Sequence, residues 1–211
     1  MPKVLKKKGK DEEKQSVWRF LLDVVVNSIV IIVIFYLVQY FLFAPFQVVG
    51  RSMVNTLHDG EYIIISKIGY YLHEPERGDI VVFKPPSSNK DYYIKRIVGI
   101  PGDEVKLSKG KVFVNDKETQ EEYIYQDVPT CLIARMSSCP NDSKIYQVPE
   151  GKYFVLGDNR AGSSDSRTWH DADNREIPFV EKGYIEGKAK LVLLPVFSVR
   201  LIPEVNSELV N

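Results

Sequence analysis

From Val24 to Phe43 the chain is apolar at nearly every position, interrupted only by Asn27, Ser28, Gln39 and the tyrosines Tyr36 and Tyr40. A helix of about 20 such residues, rising roughly 1.5 Å each, spans about 30 Å of hydrocarbon. Trp18 on one side and Tyr36, Tyr40, Phe41 and Phe43 on the other suit the two interfacial belts of a bilayer. Asp23 is then expected at the interface rather than at membrane depth. The run is too long for the apolar core of a cleavable secretory signal, and no small-x-small cleavage site follows it. Ala44-Pro45 ends the helix, because proline lacks the donor that the next turn needs. The pattern predicts one membrane-crossing helix over residues 18–43.

Charge orients that helix. The 211-residue chain has no net charge, yet residues 1–19 carry Lys3, Lys6, Lys7, Lys8, Lys10, Lys14 and Arg19 against Asp11, Glu12 and Glu13. A lysine excess just ahead of a span keeps that side in the cytoplasm. Residues 1–17 therefore read as a cytoplasmic basic tail, and residues 44–211 as an extracytoplasmic domain at the cell membrane. The basic tail has no interleaved aromatics of the kind that bind nucleic acid, so the lipid bilayer is the expected partner and nucleic acid is not. Disulfides persist on the outer side. The spacing of Cys131 and Cys139 fits a small bridged loop and two free thiols equally well, and neither has a neighbouring histidine that would suggest metal or catalytic use.

With 44% apolar residues the chain can bury one well-packed domain beyond the span. That domain reads as mostly β. Residues 61–66, 79–83, 92–100, 111–114, 152–156 and 186–193 are short runs of β-branched and aromatic side chains bounded by Gly, Pro, Asn and Asp. Many short strands with turn signals between them predict an antiparallel sheet or small barrel-like sandwich. Residues 104–150 are more polar and are expected to form an insertion or lid.

The chemistry concentrates in three places. Ser52 follows the span closely, in Gly50-Arg51-Ser52-Met53. A serine hydroxyl becomes a useful nucleophile only when a base takes its proton. The histidines available are His58, His73 and His170, in polar stretches without a recognisable triad setting. Lys95 is the stronger candidate. Strand alternation puts it on one face with Tyr93 and Ile97, where loss of water disfavours the ammonium form and leaves an amine able to accept a proton. Arg96 cannot serve, since a guanidinium keeps its proton. The third place is the Gly/Ser/Asp/Arg-rich run Gly157 to Arg167, in which Asp165 and Arg167 are spaced to form an ion pair.

Taken together these residues resemble the bacterial type I signal peptidases, membrane-bound Ser-Lys proteases that remove signal peptides from exported proteins. Such enzymes carry a Ser-Met box, an Arg-Gly-Asp-rich strand, a Lys-Arg box ending in Pro-Gly-Asp, and a Gly-Asp-Asn-Arg…Ser-x-Asp-Ser-Arg box. Here Ser52-Met53, Arg77 to Phe83, Lys95 to Asp103 and Gly157 to Arg167 match them in order. The resemblance implies Ser52 as nucleophile, Lys95 as general base, Ser163 as the hydroxyl that orients the lysine amine, and Asp158, Asp165 and Arg167 as support. It implies signal-peptide-bearing preproteins as substrate, a monomeric enzyme, and neither metal nor cofactor. One departure concerns the oxyanion. Many members have a serine two residues before the nucleophile, where this chain has Gly50. The competing reading is a tethered, non-catalytic β-domain that binds an extracellular partner.

Overall fold

The computed structural model describes residues 3–87, 91–133, 139–140 and 143–205; the side chains of residues 3–16 and 39–41, Tyr40 and Phe41 of the expected belt among them, lie outside the description. The chain divides into two units, Met1–Leu42 and Phe43–Asn211. The first is a single helix, α1 (Lys3–Phe41). Its stretch Val17–Val38 has a mean hydropathy of 2.7 and buries nothing against the protein, so by length and composition it can cross a membrane. Apolar side chains that protein does not cover need another apolar surrounding.

Among the described residues, the second unit has twelve strands: β1 (Phe43–Gln47), β2 (Tyr62–Ser66), β3 (Ile80–Phe83), β4 (Tyr93–Gly99), β5 (Glu104–Ser108), β6 (Lys111–Val114), β7 (Lys117–Glu118), β8 (Ser143–Gln147), β9 (Lys152–Leu156), β10 (Val180–Glu181), β11 (Ile185–Leu194) and β12 (Arg200–Leu201). The larger sheet is antiparallel, in the order β1-β2-β11-β3-β4-β9-β10, with β12 added along β11. Register shifts interrupt β11 in three places and β4 in one. Such bulges bend a strand and tighten its twist, which curls the sheet. Pro45 sits in β1, which pairs only with β2; an edge strand tolerates the missing donor.

β2 and β3, although consecutive in sequence, do not pair. The late strand β11 enters between them, matching Lys188 to Ser66 on one side and to Val81 on the other. Ile63, Ile65, Val82, Ala189 and Val192 pack beneath this junction with Met53 and Leu57.

Residues 104–150, expected to be a polar insertion or lid, contain a second sheet in the order β7-β6-β5-β8. Val105, Leu107, Val112, Val114 and Tyr146 from it pack on Phe154 and Leu156 of β9. The polar impression comes from period-two alternation: in Glu104-Val105-Lys106-Leu107-Ser108 only the two apolar residues are buried. A disulfide joins Cys131 and Cys139, closing the small loop that the spacing allowed.

Candidate active site

Ser52 lies in a run of turns between β1 and β2, anchored by the residues around it. Met53 and Leu57 are buried in the core, and the Leu57 N–H donates to the Met53 carbonyl at 2.8 Å. Gly50, at φ +90, opens this turn and donates its N–H to Asp59 Oδ1 at 2.7 Å. That backbone conformation is one that L side chains rarely adopt, so a serine at position 50 would be strained here.

Lys95 comes from β4. Its Nζ is 2.8 Å from Ser52 Oγ and 2.8 Å from the Ile94 carbonyl, which it donates to. The Tyr93 ring centroid lies 5.2 Å away. Only 4% of Lys95 is exposed. Burial is the main influence on its amine and pushes the pKa down to about 8, against the pull of Asp165 and Asp158, which favour the charged form.

Both carboxylates are themselves neutralised. Arg96, the next residue on β4, holds Asp158 with two bonds, Nε to Oδ1 at 2.9 Å and Nη2 to Oδ2 at 2.7 Å, and Thr56 Oγ1 donates to the same Oδ2 at 2.5 Å. Arg167 holds Asp165 in the same way, with Nε and Nη2 each at 2.8 Å, and the Gly157 N–H donates to Asp165 Oδ2 at 3.1 Å. Burial alone would raise the Asp165 pKa, but Arg167 and these hydrogen bonds hold it below the usual carboxylate value. All four side chains are buried. Such paired, hydrogen-bonded charges are the form in which a protein interior accepts ions.

The run from Gly157 ties the serine turn in place. The Asn159 N–H donates to the Ser52 carbonyl and its side-chain Nδ2 to the Arg51 carbonyl, both at 3.0 Å. A Cβ at Gly157 would lie 2.2 Å from Ser163 Oγ and 2.6 Å from the Ser52 carbonyl, so no larger residue fits. Ser163 is buried close by and helps to hold the Asp165 carboxyl down, but among the described residues its Oγ makes no bond to Lys95. Among the described residues, the Ser52 N–H donates to no internal acceptor.

All six residues singled out from the sequence thus gather at one end of β4 and β9. Sequence reasoning passed over Arg96, Thr56 and Asn159. It also missed a layer behind them from residues 119–133. Glu121 forms a two-bond pair with Arg160, at 2.9 and 2.6 Å, and Thr130 Oγ1 bonds to Arg160 as well. The Cys131 carbonyl accepts from Arg167 at 3.0 Å, and the Tyr123 ring covers the Arg96 guanidinium at 4.0 Å. Alternation along β4 would have signalled Arg96; nothing in the 119–133 segment advertises its role. The three histidines are exposed, and His58 and His170 face Glu61 and the Thr168 carbonyl.

A cavity of about 530 Å³ opens beside the Ser52–Lys95 pair, lined by Phe46, Val48, Met53, Tyr92 and Ile94. The arrangement offers a hydroxyl, a buried amine at hydrogen-bond distance, and an adjacent, largely apolar recess.

The chain is similar to known proteins. Residues 21–194 match the family described as "Signal peptidase, peptidase S26". A signal peptidase I of Bacillus licheniformis is 33% identical over 190 residues, covering 90% of this chain and 97% of the relative. Signal peptidase I T of Bacillus subtilis is 36% identical over 164 residues, 78% of this chain and 80% of the relative. A crystal structure of a signal peptidase I from Enterococcus faecalis superposes on 55% of this chain and 97% of its own, at 29% identity and a TM-score of 0.40.

Proposed function

The chain belongs to the signal peptidase family, peptidase S26, and on that premise we propose that Ser52 and Lys95 form the nucleophile–base pair with which it cleaves signal peptides from preproteins. The observation that carries the reading is the 2.8 Å separation of Ser52 Oγ and Lys95 Nζ around a buried amine. A neutral Lys95 takes the hydroxyl proton as Ser52 Oγ attacks the scissile carbonyl carbon. The ammonium so formed gives its proton to the departing amine, leaving an acyl-enzyme. Lys95, neutral again, removes a proton from water as its oxygen attacks the ester carbonyl, and the ammonium then returns that proton to the departing Ser52 Oγ, freeing the serine hydroxyl and the new C-terminal acid, which ionises in water. The unpaired Ser52 N–H is one oxyanion donor. Gly50 has no hydroxyl to act as a second.

Arg96 on Asp158 and Arg167 on Asp165 keep two carboxylates near the amine without letting either pair with it. In this reading α1 crosses the membrane with residues 1–17 in the cytoplasm, so the second unit works outside, where its substrates emerge. Cleavage of a preprotein by the purified chain, abolished in Ser52→Ala, tests the chemistry. Protease protection of the second unit in sealed inside-out vesicles tests the orientation.

A further inference from the structure

The geometry points to Tyr123 as a positioning residue of this enzyme: by covering the Arg96 guanidinium it keeps Arg96 on Asp158, and so limits the pull of that carboxylate on Lys95. The inference rests on the Ser52–Lys95 reading and extends it to a segment in which none of the recognised boxes lies.

Arg96 and Asp158 are 1% and 0% exposed, so what lies on the open face of the guanidinium decides whether water reaches the pair. That face is occupied by the Tyr123 ring, 4.0 Å from the guanidinium carbon. An aromatic face attracts a desolvated cation more strongly than an exposed one. The ring is fixed in turn, since its hydroxyl donates to Glu121 Oε1 at 3.0 Å, and Glu121 is held by Arg160. The Tyr125 N–H donates to the Asp158 carbonyl at 3.1 Å, and Asn55 Nδ2 to the Ile124 carbonyl at 3.2 Å. Residues 123–125 therefore clasp both the Asp158 backbone and the serine turn.

The charged and titratable groups around this assembly are few. Asp158 and Asp165 act on Lys95, with Arg96 and Arg167 as their counter-charges, and Glu121 and Arg160 flank Tyr123. Removing the ring admits water to Arg96 and weakens its hold on Asp158. Lys95 then feels more of that carboxylate, which favours its ammonium form.

The test is the pH dependence of preprotein cleavage by the full chain in detergent, with thermal unfolding as the folding control. In Tyr123→Leu the acidic limb of kcat/KM moves up by about half a pH unit, the scale of one buried cation–aromatic contact. In Tyr123→Phe, which loses the Glu121 bond but keeps the ring, it stays in place. If Tyr123→Leu does not fold, Tyr123→Met fills the same space without an aromatic face and carries the same expectation. A folded Leu or Met variant with the parental limb overturns the role, as does a Phe variant shifted as far as Leu. Lys95→Arg is measured beside them. Activity in that variant would bring down the dyad and this inference together, whereas an unmoved limb in an enzyme that needs Ser52 and Lys95 overturns Tyr123 alone.

Discussion

Lys95 and Arg96 are neighbours on β4, and their side chains leave the strand on opposite faces. Both are buried cations, 4% and 1% exposed. On its face Arg96 meets a carboxylate with two bonds and an aromatic cover; on the other, Lys95 meets a serine hydroxyl, a backbone carbonyl and a tyrosine ring. The first surroundings stabilise a permanent charge. The second leave the charge poorly compensated, so the amine gives up its proton near pH 8. In the proposed mechanism adjacent positions on one strand thus serve as structural ion and as base, and the partner across each face makes the difference.

The sharpest way to break this contrast is to remove the hydroxyl. Ser52→Ala should fold and lose cleavage by several orders of magnitude, as loss of a covalent nucleophile does; substantial activity in the purified variant would end the assignment. Lys95→Arg transfers the character of one face to the other. It keeps the charge but supplies no neutral base, so it should be as inactive as Lys95→Ala. Cleavage close to the parental rate would show that the faces do not differ in the way described.

Arg96→Met attacks the opposite face and strands a buried carboxylate. Thermal or denaturant unfolding should show a loss of about 3–5 kcal/mol, the range for breaking one partner out of a buried pair. An unchanged melt would mean that Asp158 is better solvated than its burial implies.

The pH profile sharpens the contrast without mutation. Activity requires neutral Lys95, so kcat/KM should rise through an apparent pKa near 8 and fall about tenfold per unit below it. A free lysine would place that limb near 10.4. Stability carries the same sign. The unfolded chain binds the proton more readily, so the cost of burying this amine is full below about pH 8 and is relieved as pH rises towards the ordinary lysine value. An acidic limb governed by His58, His73 or His170, shown by their alanine variants, would put a histidine in place of Lys95.

The smallest effect on cleavage is expected at the disulfide. Cys131 meets Arg167 through its carbonyl, which serine would also present. Cys131→Ser with Cys139→Ser should therefore cleave at near-normal rate while losing about 2.5 kcal/mol of stability, the chain-entropy value for so short a loop. Loss of activity in a folded double mutant would show that the bridge itself holds Arg167.

What could be read from the chain alone was local. The apolar helix is a contiguous signal, and Ser52, Lys95 and the Gly157–Arg167 run each sit in a compact motif. Among the strands that escape such a reading, β5 shows the core only every second residue, between a glutamate, a lysine and a serine, and β8 buries Tyr146 alone. Arg96 was dismissed as a base, correctly on chemical grounds, while its use as a counter-charge depends on Asp158, 62 positions away. Glu121 and Tyr123 have no motif at all. Their roles come from where the segment returns, and nothing in the local sequence encodes that. The resemblance implies Ser163 as the hydroxyl that orients the lysine amine, yet among the described residues no hydrogen bond joins the two.

The strand order has a kinetic consequence. Ser52 belongs to the β1–β2 hairpin and Lys95 to the β3–β4 hairpin, and the sheet joins these two only through β11, close to the end of the chain. Each hairpin pairs locally and can form early, but the larger sheet that carries both is joined only by a long loop closure, the pairing of β2 with β11. A chain still emerging from the ribosome or the translocon, with residue 185 not yet delivered, lacks the strand that completes this sheet.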